Sequence, residues 1–253
     1  MKKCLLLLCI LLLSSNIFAD QKGEEIAGKT YELKESADSH SVGMMVLINK
    51  KGDQRIRKIE MFSKETNKGT NSLVIFLEPA DVKGTKFLTV GHEKGEDEQR
   101  LFLPALGKIR RIASSKKGGS FMGSDLNYFD MENHSFQDFT YNYIKKGKFK
   151  TMDCDIVEFV PLDENAPYSR QLSWIGSDNH FTYKVECYDK KNPDVLLKTI
   201  VIEEVKTLDE VMIATKIVVD NKKTGGKTLF MLTNVQINTG IKNSVFSIQN
   251  LEN

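Results

Sequence analysis

The sequence is poor in the residues that most chemistry needs. Four histidines are spread over 253 residues. His40, His92, His134 and His180 stand singly, without HxxxH or HxH spacing, so no zinc site is legible. Nor is there a surplus of one charge: 36 Lys and Arg face 34 Asp and Glu. Residues 1–19 hold two of those lysines and no acid, so without them the signs balance. That excludes a protein that grips nucleic acid by bulk charge. After residue 19 no apolar run approaches the 18 residues or so that a membrane helix needs. Around Ser120, Gly118 is present, but Met122 stands where a hydrolase nucleophile elbow has its second glycine. Gly225-Gly226-Lys227-Thr228 resembles the end of a phosphate loop, yet Asn221 occupies the first glycine's place and a β run follows instead of a helix. Asp125, Asp130, Asp153 and Asp155 are too close to chance spacing to read as a glycosidase pair. The expectation is a protein without catalysis, metal or cofactor.

What is present begins with an address. Lys2 and Lys3 precede the aliphatic run Cys4–Leu13, Ser14-Ser15-Asn16 ends it, and Ala19 stands before Asp20. This is the layout of a secretory signal peptide cleaved after Ala19, and its short apolar region suits export to a bacterial periplasm. Residues 20–253 then form one domain, 40% apolar and 28% charged over the whole chain, as ordinary cores are. Only Cys154 and Cys187 remain in it. Export permits a disulfide. If their strands flank Arg170–Trp174, however, they lie about 9–10 Å apart, beyond the ~7 Å limit. Two buried thiols are the favoured reading.

The body reads as strands. Glu24–Ala37 has helical spacing, at Ile26, Thr30, Leu33 and Ala37. Val42–Asn49 and Gln54–Ser63 flank the turn Lys50-Lys51-Gly52-Asp53 and make a hairpin. Leu73–Glu78, Lys86–Val90, Gln99–Leu103 and Lys108–Ala113 continue the series. Residues 114–146 interrupt it. Ser124 or Asp125 can cap a turn over Leu126–Met131, and Ser135 with Asp138 can start a helix over Phe139–Ile144. Seven further runs follow: Thr151–Val160, Arg170–Trp174, Phe181–Tyr188, Val195–Glu204, Glu210–Asp220, Lys227–Asn238 and Val245–Leu251. About a dozen strands in hairpin order imply one large antiparallel sheet, which at that size curls or splits. Leu73-Val74-Ile75-Phe76-Leu77 and Val211-Met212-Ile213-Ala214 are apolar on both faces. One face packs a core or helix; the other covers a second sheet or encloses an apolar cavity.

The densest basic cluster is Lys108, Arg110, Arg111, Lys116 and Lys117. It reads as a solvated edge, or as a contact for lipid head groups or an acidic partner. It sits inside the most distinctive stretch, Arg100-Leu101-Phe102-Leu103-Pro104-Ala105-Leu106-Gly107-Lys108-Ile109-Arg110-Arg111-Ile112, followed by Phe121-Met122-Gly123-Ser124-Asp125 and Asp130. Upstream stands Pro79-Ala80-Asp81-Val82-Lys83-Gly84-Thr85, and downstream Tyr188-Asp189 and Lys198-Thr199. These blocks resemble the outer-membrane lipoprotein-sorting protein family, the LolA-like proteins associated with RND/MMPL-type transporters.

The resemblance implies a fold: an unclosed, curved antiparallel β-barrel with short helices covering the concave side. It also implies a role in outer-membrane biogenesis, holding lipid or lipoprotein acyl chains in an apolar cavity and passing them between envelope components, including an RND/MMPL-type inner-membrane transporter. The alternative is a non-catalytic partner-binding or sensory module of such a transporter system. Cavity contacts would come from large apolar side chains: Phe76, Leu88, Leu101, Leu103, Phe121, Met122, Phe129 and Trp174. Lys108, Arg110 and Arg111 are the candidates for partner or head-group contact, and Arg111 is expected to pair with Asp125 or Asp130. Which strand parity is concave stays open, because a one-residue slip exchanges the faces.

Overall fold

A computed structural model describes residues 20–92 and 95–252; the expected signal segment lies outside them. Among the described residues thirteen strands form one antiparallel sheet, and its two edge strands are not joined to each other. The first six are β1 (Asp38–Ile48), β2 (Gln54–Thr66), β3 (Gly69–Glu78), β4 (Lys86–Val90), β5 (Glu98–Leu103) and β6 (Lys108–Arg111). The remaining seven are β7 (Phe139–Phe149), β8 (Met152–Pro161), β9 (Tyr168–Gly176), β10 (Thr182–Asp189), β11 (Leu196–Leu208), β12 (Val211–Asn221) and β13 (Lys227–Ile237). Each set is a meander, and the two meet where β1 pairs with β13. The edges are therefore β6 and β7, neighbours in sequence but at opposite ends of the sheet. Residues 112–138 must cross from one edge to the other.

The crossing fixes the shape. Tyr128 stacks near Phe87 of β4 and Phe129 near Tyr168 of β9, each at 5.7 Å between rings. Those strands are eight spacings apart in the sheet order, about 38 Å if flat. Adjacent Cα atoms are only about 3.8 Å apart. Two consecutive residues can touch both strands only because the sheet has curled around them. Registers then assign the faces. Phe76, Val74, Phe87, Leu101, Ile59, Met45 and Phe230 point inward under the crossing segment. Tyr141, Val157, Phe159, Ile175 and Cys187 form a second inner cluster.

Helix α1 (Gln21–Tyr31) is shorter than the periodicity suggests and lies on β7 and β8. Asp20 caps it, accepting the Lys22 amide at 3.1 Å, and its other carboxylate oxygen accepts the Tyr143 amide of the edge strand at 2.6 Å. Gly23 makes this contact feasible: a Cβ there would sit 2.7 Å from the Tyr143 nitrogen. The outer face of β3 and β4 is covered by the C-terminal segment, where Phe246 and Leu251 pack on Leu73 and Leu88. Asp38 turns the chain toward that face, accepting the amides of Thr239, Gly240 and Ile241 at 2.8, 2.9 and 3.1 Å.

Three expected elements are different. The turn expected over Leu126–Met131 is a 3₁₀ turn over Phe129–Met131, which Ser124 and Asp125 do not cap. Phe139–Ile144 belongs to strand β7; the Ser135–Asp138 capping box exists but serves a single 3₁₀ turn, Phe136–Asp138. Val245–Leu251 is not a strand: a 3₁₀ turn, Asn243–Phe246, leads into a short helix α2 (Ile248–Glu252). Cys154 and Cys187 are both free and buried. They sit on strands separated by β9, and on opposite faces, since Cys187 joins the inner cluster while Cys154 shares the parity of outward-facing Ile156.

Candidate functional site: a plugged groove

The concave groove is occupied by the crossing segment, and the Phe-Met-Gly-Ser-Asp block is what seats it. Phe121 is 1% exposed and packs between Phe76 and Phe87. Met122 and Gly123 both take positive φ, 49° and 74°, which reverses the chain and turns the Met122 carbonyl to the guanidinium of Arg57. A glycine meets the second of those dihedrals without the Cβ clash. Asp125 binds the start of β13: its amide donates to the Thr228 hydroxyl at 2.9 Å, and that hydroxyl donates to Asp125 Oδ2 at 2.8 Å.

Asp130 anchors the next turn. It accepts the Tyr168 hydroxyl at 2.7 Å, the Asn127 amide at 2.7 Å, and the Lys198 ammonium. The Asp130 and Lys198 side chains are each 5% exposed. Burial drives the Tyr168 hydroxyl far above its ordinary pKa, and the adjacent Asp130 charge adds to it, so it stays protonated, donating to Asp130 while accepting from the Asn127 side-chain amide at 2.8 Å. Lys117, expected in a solvated cluster, is instead buried between Glu96 at 3.0 Å and Glu132 at 2.5 Å. The expected pairing of Arg111 is also different: it lies 3.5 Å from Glu98 on the adjacent strand β5. Lys108, Arg110 and Arg111 are exposed on the β6 edge.

The expected cavity residues fall into three groups. Phe76, Leu101 and Phe121 are packed in the inner core with Leu103 and Met122 beside them. Phe129 lies in the second inner cluster and lines a cleft. Leu88 and Trp174 are on the outer face: Leu88 is under Phe246 and Leu251, and Trp174 is aligned with Ile156 and Lys184. Sequence could not settle that parity, because both faces of β3 and β4 are apolar.

Space remains at the groove's margins. One cleft of about 720 Å³ lies between the β4–β5 loop, residues 129–138 and the β7–β8 end; Phe129, Phe139 and Leu162 line its apolar part. A second, of about 590 Å³, is floored by Ile202, Val211 and Met212 and bordered by Leu33 and Phe181. Both are lined by Asn133 and His134, so they adjoin beneath the end of the crossing segment. Their sizes fall in the range of about 300–1,000 Å³ usual for small-molecule sites. These lining residues come from many separate loops and strand ends, and no spacing in the sequence marks them.

Comparison with known proteins gives the fold its relatives. A family model described as "Uncharacterized protein" matches residues 68–253. No curated protein matches the chain. A solved protein domain from Vibrio parahaemolyticus, described as outer-membrane lipoprotein-sorting, is 33% identical with a TM-score of 0.88, covering 92% of this chain and 99% of its own. A DUF1329 family protein from Desulfovibrio piger is 29% identical with a TM-score of 0.85, over 91% and 98% of the two chains. A LolA superfamily protein from Nitrosomonas europaea shares the fold at 19% identity, with a TM-score of 0.71 over 90% and 98%. With a relative one-third identical along nearly its whole length, and the same open antiparallel barrel, the chain belongs to the outer-membrane lipoprotein-sorting protein family.

Proposed function

We propose that this protein is a non-catalytic carrier of the bacterial cell envelope, exported to the periplasm, which holds acyl chains of a lipid or lipoprotein in the groove. The observation that carries this reading is the pair of adjoining clefts beneath the crossing segment, each with an apolar wall. In this reading a chain first meets Phe129 in one cleft and Ile202, Val211 and Met212 in the other. Phe76, Leu101, Leu103, Phe121 and Met122 join the contact surface when the crossing segment lifts. Burying a 16-carbon chain contributes on the order of 10 kcal/mol, at about 0.8 per CH₂. Ordering the chain and moving the segment reduce that figure. Lys108, Arg110 and Arg111 suit an acidic surface on the donor or acceptor, with an RND/MMPL-type inner-membrane transporter as the partner class.

The second reading, a partner-binding or sensory module, draws on the tight packing of Phe76, Phe87 and Phe121, which fills the middle of the groove. Native mass spectrometry of gently purified exported protein, with solvent extraction, separates the two. Carriage requires a defined extra mass that yields acyl material, and uptake of a neutral apolar dye such as N-phenyl-1-naphthylamine. A bare protein that also ignores the dye would sink the carrier and leave the module.

A further inference from the structure

We propose that the groove selects its amphiphile by charge, taking a chain whose polar head carries an ammonium group in preference to one with an anionic head. This deepens the carrier reading and rests on it. Among the described residues the larger cleft is lined by Glu96, Asp97, Glu132, Asp138 and Asp163, against one lysine, Lys117. That lysine is already committed. Its side chain is 3% exposed and its ammonium lies between Glu96 and Glu132. The protein's own alkylammonium is thus held at the wall of the cleft, in the surroundings an amine-bearing ligand would meet. Once Glu132 is ionised, above about 7, two glutamates on one ammonium leave one negative charge uncompensated, before the three aspartates are counted.

The excess is felt locally. Burial pushes the Glu132 carboxyl up to about 7 against the pull of Lys117, with Asp97 and Glu96 adding to the rise. His134 lines both clefts, and burial holds it below its ordinary pKa, so it adds little positive charge at neutral pH. The second cleft repeats the imbalance: Glu35, Glu65 and Glu210 line it with Lys34, and Lys34 pairs with Glu210 at 2.6 Å. Burial and the neighbouring Glu65 raise the Glu35 carboxyl.

Aromatic rings complete the chemistry. Phe129 and His134 lie 4.3 Å apart and His134 and Phe139 5.2 Å apart, all three on the larger cleft. Carboxylates beside aromatic rings and apolar walls form an environment that accepts ammonium groups. The same surface repels a carboxylate head, more strongly than bulk water would allow, because the effective dielectric is lower there. The cations of the β6 edge line neither cleft.

The test compares two probes of equal chain length, dodecyltrimethylammonium and dodecanoate, by calorimetric titration of the full-length protein below micellar concentrations at about pH 8. The cation is expected to bind on the order of tenfold tighter. Its advantage should shrink as salt is added. It should also shrink in Asp97→Asn/Asp163→Asn, which removes two rim charges but retains side-chain oxygens for the Asn133 and Asn165 amides. Equal affinities, tighter binding of dodecanoate, or a preference untouched by the double variant would overturn charge selection alone, provided N-phenyl-1-naphthylamine still binds. Failure of all three probes would bring down the carrier reading and this inference together.

Discussion

Lys198 and Asp130 show what a single buried charge does in this fold. Both stand in the blocks that carry the family resemblance, but nothing in the spacing pairs them with each other, and Asp130 was expected to meet Arg111. Together they join the crossing segment to β11, with Tyr168 and Asn127 satisfying the remaining oxygen sites on Asp130. A buried ion pair adds little net stability over apolar side chains of the same volume, but removing one partner strands the other. Lys198→Met should therefore destabilise the protein by about 3–5 kcal/mol. Lys198→Met/Asp130→Leu should recover most of that loss, with urea unfolding as the measurement. A single-variant loss below about 1 kcal/mol would mean that water takes the place of the lysine and that the pair does not hold the segment.

At the scale of elements, the crossing segment is the part with a pH response of its own. Lys117, Glu96 and Glu132 latch it to the β4–β5 loop. Glu132 has an ordinary value of 4.5 and is raised to about 7 by burial in the folded state. The folded protein therefore holds this proton more tightly than the unfolded chain does. Its contribution to stability is greatest below 4.5 and declines as pH rises toward 7. Glu132→Gln removes that proton, so the wild-type advantage over the variant should fall steadily across the same window. Urea midpoints taken at half-unit steps measure it, and a flat difference would contradict the raised value. Asp38 has the opposite sign at lower pH. Burial alone would raise it, but the amides of Thr239, Ile241 and Gly240 and the Thr239 hydroxyl outweigh burial and hold it below 3.8. Its stabilisation is lost only as pH falls through that depressed value, so the two effects occupy separate windows.

The elements also mark how far the sequence could be read. The strand runs were legible because turn residues bound them: Lys86–Val90 is a strand over the same residues, and the first hairpin keeps its turn at Asn49–Asp53. Phe139–Ile144 misled because a real capping box precedes it. The better signal was the period-2 row Phe139, Tyr141, Tyr143, whose side chains line one face of β7. Val245–Leu251 has strand-like composition, but Phe246 and Leu251 are spent on covering β3 and β4 from outside, a tertiary demand with no local signature. The motif block was legible as architecture, since Phe121, Gly123 and Asp125 seat the segment. The clefts were not, because they form only where distant loops converge.

For the whole molecule, the order of pairing sets what can move. The first and last strands, β1 and β13, are neighbours at the centre of the sheet, so the frame closes only when both halves are in place. The pairing there is close as well as central: a Cβ on Gly43 would fall 2.5 Å from the Met231 carbonyl oxygen. By contrast, residues 112–138 hold their place through short turns, side-chain caps and a few buried charges, with a single isolated bridge between Ser120 and Asn127. Segments with few ladder hydrogen bonds open at lower free energy than sheet interiors. Hydrogen exchange followed by mass spectrometry should then find the amides of β1 and β13 exchanging through global unfolding and those of 112–138 through local opening. A bound amphiphile adds stability as its concentration exceeds Kd. If it lies beneath the segment, the added protection should concentrate in 112–138 and in the β11 and β12 residues that floor the second cleft. It should leave the outer-face helix α2 unchanged. Protection spread evenly over the sheet would place the ligand elsewhere and make the crossing segment a fixed part of the core.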